Sequence, residues 1–499
     1  MGIIQKQSIR STVFIMLGFS IGAINMILLA PKLLTTSQLG LTRVITDVAI
    51  TLGTMCTFGS LPIVYKFFPF YKSYLPPEKN DLPFLTLLVC TFGFIVMCVS
   101  GYALRDIIIR KFSERSPLFV EYSYLVYPFA LFYLAYMWLE SFGWSFKKGV
   151  TSNTLREVGP RILFTILLVL FATHIINLKW FLVLFAFSYC LPTLILFFVL
   201  RRTGNFYFNT GISSVTMRLK SRMINFGLFL FGAQFLNLLS RTADTFILTA
   251  TSKNGLTDVA VFTIGTYVVA LMEIPQRSIN AISIPVLAES WKNKDLDNIS
   301  HIYTRSVTNL LIIGLAMFSL VLLNIHNLGI YMGRDYKGIE TVVFFLGIGK
   351  LIDLGTGANT QIIGTSNYWR VDFATNVIYT LIALPLNYIL ITHYGLMGAA
   401  YSTLISVSVY NCMRFAFLWY KFGLQPYRWK DLLVIAIAAV AGLITWWLPR
   451  IPSVFADTGM RTIVFSILFF STIYKTAISE EVNVMIVKYT GMLRAPKRN

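Results

Sequence analysis

Three pairs of charged residues sit inside apolar stretches, where ionised groups are costly: Arg241 with Asp244, Glu273 with Arg277, and Lys350 with Asp353. Spacings of three or four residues put both partners of each pair on one face of a helix. A charge at mid-bilayer costs on the order of 3 kcal/mol on insertion scales, so such residues face a cavity or a partner. Two chemistries are open to them. Either each pair neutralises itself and fixes helix packing, or the three together line a polar cavity. In the second case the cations Arg241, Arg277 and Lys350 meet an anionic substrate, and the carboxylates of Asp244, Glu273 and Asp353 are charge partners or carry a coupling ion. At about 1.5 Å per residue, Glu273 and Lys350 fall roughly 16 to 22 Å from the outer ends of their segments, near the bilayer midplane.

Other polar residues in apolar runs have simpler expected roles. Arg161, with Glu157 one turn before it, and Arg414, six residues from the inner end of its run, are expected to snorkel to the interface. Glu140 lies beside Trp138 and Trp144 and reads as an interfacial carboxylate in an aromatic belt. Asp47, one turn after Arg43, is either a cap or dipole partner at a helix start or a cavity-lining group. Tyr122, Tyr124, Tyr127, Tyr133 and Tyr136 form a cluster that belongs to the belt or stacks against sugars.

Enzymatic chemistry finds little footing. The segment GIGK at 347–350 lacks the earlier glycine of a P-loop and has Leu351 where Ser or Thr is needed. There is no G-x-S-x-G or H-E-x-x-H motif. Cys56, Cys90, Cys98, Cys190 and Cys412 lie inside apolar runs without C-x-x-C spacing, and His174, His301, His326 and His393 are scattered singly. No metal, disulfide framework or cofactor is expected.

The elements that position these residues follow from composition. Of 499 residues, 56% are apolar and 13% charged, against roughly 45–50% and 25% in soluble proteins. Apolar runs long enough to cross a bilayer fall at 11–30, 43–65, 82–104, 118–142, 156–176, 179–200, 224–249, 258–288, 303–324, 339–364, 371–392, 396–420, 431–449 and 459–477. The run 258–288 is long and contains Pro275 and Pro285, which predicts a kinked span with an interfacial extension. Backbone groups in hydrocarbon must be satisfied within the segment, so these runs are helices of an all-α polytopic membrane protein, with about fourteen transmembrane helices. The formal charge of +20 is spread in short clusters between spans, a pattern of topology and not of nucleic-acid binding. With the N-terminus in the cytoplasm, inside segments hold roughly twice as many Lys and Arg as outside ones, which places both termini inside. Arg105, Arg110, Lys111 and Arg115, in the loop 105–117, run against that rule on the predicted outer side.

The longest polar connection, 201–222, follows six spans. The stretch TSQLGLTRV at 36–44 resembles NGLTDVAVF at 254–262, which puts the first and seventh spans in equivalent positions. The expected organisation is a six-helix lobe at 1–200, a cytoplasmic linker at 201–223, a second six-helix lobe at 224–420, and a final helix pair with a cytoplasmic tail at 421–499. Six intervening spans give the lobes the same orientation, hence a pseudo-two-fold axis along the membrane normal. No connection is long enough to form a catalytic domain, so function resides in the bundle.

One block is more specific. The segment 385–403, PLNYILITHYGLMGAAYST, resembles the block between spans 11 and 12 of polysaccharide flippases in the multidrug/oligosaccharidyl-lipid/polysaccharide exporter (MOP) superfamily. Pro385, Asn387, Leu390, Tyr394, Gly395, Gly398, Ala399, Ala400 and Thr403 match, whereas His393 and Ser402 depart from it. The stretches 29–40 and 274–285 are similar to further patterns of that family, as is Asp244 near the end of span 7. The resemblance implies a transporter of a bacterial inner membrane that moves polyprenyl-pyrophosphate-linked oligosaccharide from the cytoplasmic to the outer leaflet. It implies alternating access, coupling to a proton or sodium gradient, Arg241, Arg277 and Lys350 as sugar-pyrophosphate contacts, and polysaccharide assembly proteins as partners beside the membrane lipids. The alternatives are a drug or cation antiporter of the same superfamily and a membrane-embedded glycan polymerase or ligase.

Overall fold

A computed structural model describes residues 3–484; residues 485–499 of the predicted tail lie outside the described residues. Among those described there is no strand. The chain forms two compact units, Met1–Ala260 and Val261–Asn499. The first begins with α1 (Ile3–Ala23), a π-helical turn over Ile24–Leu29, and α2 (Ala30–Leu33). It continues through α3 (Thr36–Met55), α4 (Ser60–Tyr74), α5 (Leu82–Ala103), α6 (Arg105–Phe112), α7 (Pro117–Tyr122) and α8 (Val126–Ser145). The helices α9 (Gly149–Ala172), α10 (Leu178–Ala186), α11 (Cys190–Arg201) and α12 (Ser214–Thr251) complete it, and α13 (Leu256–Ala270) crosses the boundary. The second unit holds α14 (Glu273–Lys292), α15 (Leu296–Met332), α16 (Ile339–Gly355), α17 (Asn359–Thr365), α18 (Trp369–Tyr394), α19 (Leu396–Phe422), α20 (Trp429–Trp446) and α21 (Val454–Thr476). The connection expected to be a linker is helical from Ser214 onward, and α12 packs against α3 and α4 inside the first unit.

Every predicted run is helical, but the count of fourteen spans is not reached. Among the described residues nine helices are long and apolar enough to cross a membrane, or twelve if each of three bent pairs is one span. Two predicted spans fall short for physical reasons. Arg156, Glu157 and Arg161 crowd the first half of α9, and Ser402, Ser406, Ser408, Asn411 and Arg414 dilute the apolar content of α19.

The three bent pairs are α3 with α4 (47°), α13 with α14 (50°) and α16 with α17 (47°). Proline explains the first two. Pro62 and Pro275 have no N–H to bond the carbonyl four residues back, and their rings would collide with it, so the first turn of a new helix is where each sits without that cost. α4 accordingly opens Ser60-Leu61-Pro62 and α14 opens Glu273-Ile274-Pro275. The expected kink of the eighth span is therefore a break at 271–272. Upstream, Gly40-Leu41-Thr42 and Gly255-Leu256-Thr257 are the same tripeptide, so matching sequence precedes matching breaks. The third break turns on Gly357, whose φ is +59°. A Cβ there would lie 2.6 Å from Ser306 Oγ and 2.7 Å from Val307 Cγ2.

The block 385–403 forms the hairpin between α18 and α19. Gly395, at φ +56°, is the single residue between the helices. A Cβ at Gly398 would lie 2.0 Å from the Leu390 carbonyl oxygen, so α19 packs backbone to backbone against α18. The final pair, α20 and α21, packs on α15: Val434, Ile437, Phe465 and Phe469 bury against Ile312, Ala316 and Leu323. Polar contacts set the register, with Thr308 Oγ1 donating to Asp431 Oδ1 at 2.6 Å and Asn327 Nδ2 to Asp457 Oδ2 at 2.7 Å. Arg461, paired with Asp457 at 2.8 Å, donates to the carbonyls of Thr445 (3.0 Å) and Leu448 (3.1 Å). It thereby occupies acceptors that the end of α20 leaves without helical donors.

The third break supplies a test. Gly357→Ala meets both a left-handed backbone and a filled space, whereas Gly423→Ala, at φ +66°, meets open space. The left-handed conformation costs about 1–2 kcal/mol for a non-glycine residue. Gly423→Ala should lose about that much, and Gly357→Ala at least about twice as much. Thermal unfolding of the detergent-purified variants measures the difference.

Candidate functional site

Two of the three predicted charge pairs meet in one network, built where helices are broken. Glu273 is the first residue of α14, and Lys350 and Asp353 lie in the last turns of α16. Glu273 Oε2 accepts from Arg277 Nη2 at 3.1 Å, and its Oε1 lies 3.1 Å from Lys350 Nζ. Lys350 Nζ also donates to Asp353 Oδ2 at 2.8 Å and to Gln276 Oε1 at 3.1 Å, and Gln276 Nε2 donates to Asp353 Oδ2 at 3.2 Å. α19 closes the network: Asn411 Nδ2 donates to Asp353 Oδ1 at 3.4 Å, and Asn411 Oδ1 accepts from Thr356 Oγ1 at 2.8 Å and from Asn359 Nδ2 at 3.1 Å.

Its electrostatics favour this placement. A carboxylate at the start of α14 and an ammonium near the end of α16 each sit at the helix end whose dipole suits them. Two cations and two carboxylates balance, so the cluster adds no net charge to a low-dielectric region. Exposure distinguishes the cations: the Lys350 side chain is 13% exposed and enclosed by acceptors, whereas Arg277 is 61% exposed. Gln276, which links Lys350 to Asp353, had no charge to mark it in the sequence.

Of the third predicted pair, only Asp244 has a described side chain. The side chain of Arg241 lies outside the described residues. Asp244 Oδ1 is buried and has no hydrogen-bond partner among the described residues. Its neighbour Thr245 donates to Asp47 Oδ2 at 2.7 Å, and Asp47 pairs with Arg43 Nε at 2.7 Å. The cap or dipole role open to Asp47 is excluded. α3 starts seven residues before Arg43, its capping box is Thr35 with Gln38, and Asp47 is a buried link from mid-helix to α12.

Three other expectations need correction. Arg414 does not snorkel: it is 1% exposed, paired with Asp372, hydrogen-bonded to Thr360 and to Thr375 (3.3 Å), and lies 3.9 Å from the Tyr410 ring centroid. Arg161 does not snorkel either, because Glu157 holds it at 2.7 Å against the glycine face of α1 at Gly18 and Gly22. Glu140 is buried and ion-paired, and does not stand exposed in an aromatic belt. It pairs with Arg156 at 3.1 Å, which pairs in turn with Glu157 at 3.2 Å. Of the tyrosine cluster, Tyr133 and Tyr136 pack edgewise or tilted on Tyr189 at 5.1 and 5.6 Å, and Tyr136 is fully buried, which leaves it no face for a sugar.

A charge network at broken helices is an arrangement found in multi-pass membrane proteins that bind solutes at discontinuous helices. No family model matches the sequence, and no curated protein does. Solved structures do match. One is the lipid II flippase MurJ in an inward closed conformation, at TM-score 0.73 and 13% identity, covering 94% of this chain and all (100%) of that one. Another is an inward-facing multidrug resistance MATE family transporter of the MOP superfamily, at TM-score 0.59 and 15% identity, covering 83% of this chain and 94% of that one. A third is a MOP superfamily transporter from Pyrococcus furiosus described by a binding pocket of reverse polarity, at TM-score 0.55 and 14% identity, covering 88% and 97%. This chain has the fold of the MOP-superfamily transporters, as its resemblance in sequence implied, and these three neighbours are transporters and not enzymes.

Breaking a buried ion pair by removing one partner costs about 3–5 kcal/mol, because the other charge is stranded. Asp372→Ala should therefore lower the thermal midpoint of the purified protein sharply. The double variant Asp372→Ala, Arg414→Met should recover most of the loss, since no buried charge remains.

Proposed function

We propose that the protein is a transporter that moves a polyprenyl-pyrophosphate-linked oligosaccharide from the cytoplasmic to the outer leaflet by alternating access. The observation that carries this reading is the exposed guanidinium of Arg277, held beside the balanced Glu273–Lys350–Asp353 cluster at a break in a membrane helix. A guanidinium presents a planar fork of donors that fits phosphate oxygens two at a time. When a pyrophosphate engages Arg277, Glu273 is left to Lys350 alone. A proton or sodium ion on Glu273 or Asp353 would loosen Lys350, and this couples the gradient to the substrate. Arg241, Lys350 and Asp244 complete the proposed cation and carboxylate set.

The fold match supports a lipid-linked cargo over a drug. The match to the lipid II flippase covers too much of this chain to omit both α20 and α21, whereas the MATE match leaves out a stretch about as long as 421–499. Both carboxylates of the network are already met by cations, which leaves a cationic drug little to bind. The same proposal includes rocking of lobes 1–200 and 224–420, both termini in the cytoplasm of a bacterial inner membrane, and contacts with polysaccharide assembly proteins.

Proteoliposomes loaded with a fluorescent lipid-linked glycan test it. Purified protein should make the labelled headgroup accessible from the far leaflet in the presence of a proton or sodium gradient. No gain in accessibility with either gradient overturns the proposal. Arg277→Ala should reduce flipping at least tenfold with an unchanged thermal midpoint, and Arg277→Lys should keep only part of the activity. Loss of insertion in Arg277→Ala would assign the pair to packing instead.

A further inference from the structure

The first unit contains a cavity of about 820 Å³, within the size range of ligand pockets. It is lined by residues of α3, α5, α6 and α8. α5 bounds it at two glycines. A Cβ at Gly93 would lie 2.2 Å from the Cys56 carbonyl oxygen, and one at Gly101 would lie 2.0 Å from the Tyr127 hydroxyl. Between these contacts α5 lines the cavity with Val96 and Met97, and α3 lines it with Leu52 and Met55. The cavity is half open and mostly apolar, so it takes hydrocarbon.

Its rim is polar and carries both signs of charge. Arg105, at the start of α6, and Glu121, at the end of α7, line it with Tyr102 and Tyr124, which are 80% and 49% exposed. Exposed tyrosines next to apolar helix surface mark headgroup depth. α6 is a short amphipathic helix with Arg110 and Lys111 in its last turn and Ile107 exposed, as suits a helix lying in the membrane interface.

We propose that this cavity binds a zwitterionic phospholipid of the phosphatidylethanolamine type, with an acyl chain inside, the phosphate on Arg105 and the ammonium on Glu121. The rim selects this occupant by charge. A polyprenyl pyrophosphate or phosphatidylglycerol offers the Glu121 carboxylate neutral hydroxyls at most, whereas the ethanolamine ammonium offers a charge-assisted hydrogen bond. None of the residues lining this cavity belongs to the charge network of Glu273, Arg277, Lys350 and Asp353.

Native mass spectrometry of the full-length detergent-purified protein tests the assignment with phosphatidylethanolamine, phosphatidylglycerol and undecaprenyl phosphate at equal concentrations. Phosphatidylethanolamine should be retained one to one and at least about tenfold more tightly than the other two. Val96→Trp, which fills the cavity, should abolish retention. Glu121→Gln, a change on the exposed rim that does not depend on repacking, should remove the preference over phosphatidylglycerol, and Arg105→Ala should weaken phosphatidylethanolamine about tenfold. Equal retention of phosphatidylglycerol by the unaltered protein, displacement by undecaprenyl phosphate, or an unchanged preference in Glu121→Gln overturns the proposal.

Discussion

The ammonium of Lys350, held between the carboxylates of Glu273 and Asp353, is the contact on which the second unit turns. A helix break in hydrocarbon leaves N–H and C=O groups without partners, and lipid supplies none. Neutral polar groups beside the network close the break between α16 and α17. Thr356 Oγ1 donates to the Asp353 carbonyl at 2.8 Å, Ser306 Oγ accepts from the Ala358 N–H at 3.0 Å, and Asn411 ties α16 and α17 to α19. Together the break and the charges form a polar knot in which Arg277 is the more exposed cation.

How much of this was legible in the sequence follows from the range of each interaction. Apolar runs and i,i+3 or i,i+4 charge spacing are local, so the helices and the pairs Glu273–Arg277 and Lys350–Asp353 could be marked from residue order. The bond between Glu273 and Lys350 joins residues 77 apart, and nothing in either neighbourhood encodes it. Arg414 shows the same limit. Judged by its distance from a helix end it should snorkel, yet Asp372, 42 residues earlier in the chain, draws it fully inside. Glu140 was misjudged because tryptophans nearby suggested an interface, while its partner Arg156 lies on the next helix. Pro275 did announce a bend, and its place three residues into α14 fixes where that bend falls.

The two breaks that carry proline share a backbone solution and differ in chemistry. The tripeptide Gly-Leu-Thr precedes both α3–α4 and α13–α14, and each second segment opens with a residue pair followed by proline. Proline imposes the bend in both, so the backbone solution is common to the two. The residue that begins each new helix is not. Ser60 opens α4, is buried, and has Cys90 Sγ 3.5 Å away, which neutral groups can do in an apolar setting. Glu273 opens α14 and needs cations, which α14 supplies at Arg277 and α16 at Lys350. The first unit carries its buried charges elsewhere, in the chain Glu140–Arg156–Glu157–Arg161 along α8 and α9. A bend can be copied by repeating one proline, whereas a charged site needs every partner of the charge to be present at once. The bend therefore recurs at both breaks, whereas among the described residues an ion-paired carboxylate opens α14 and not α4.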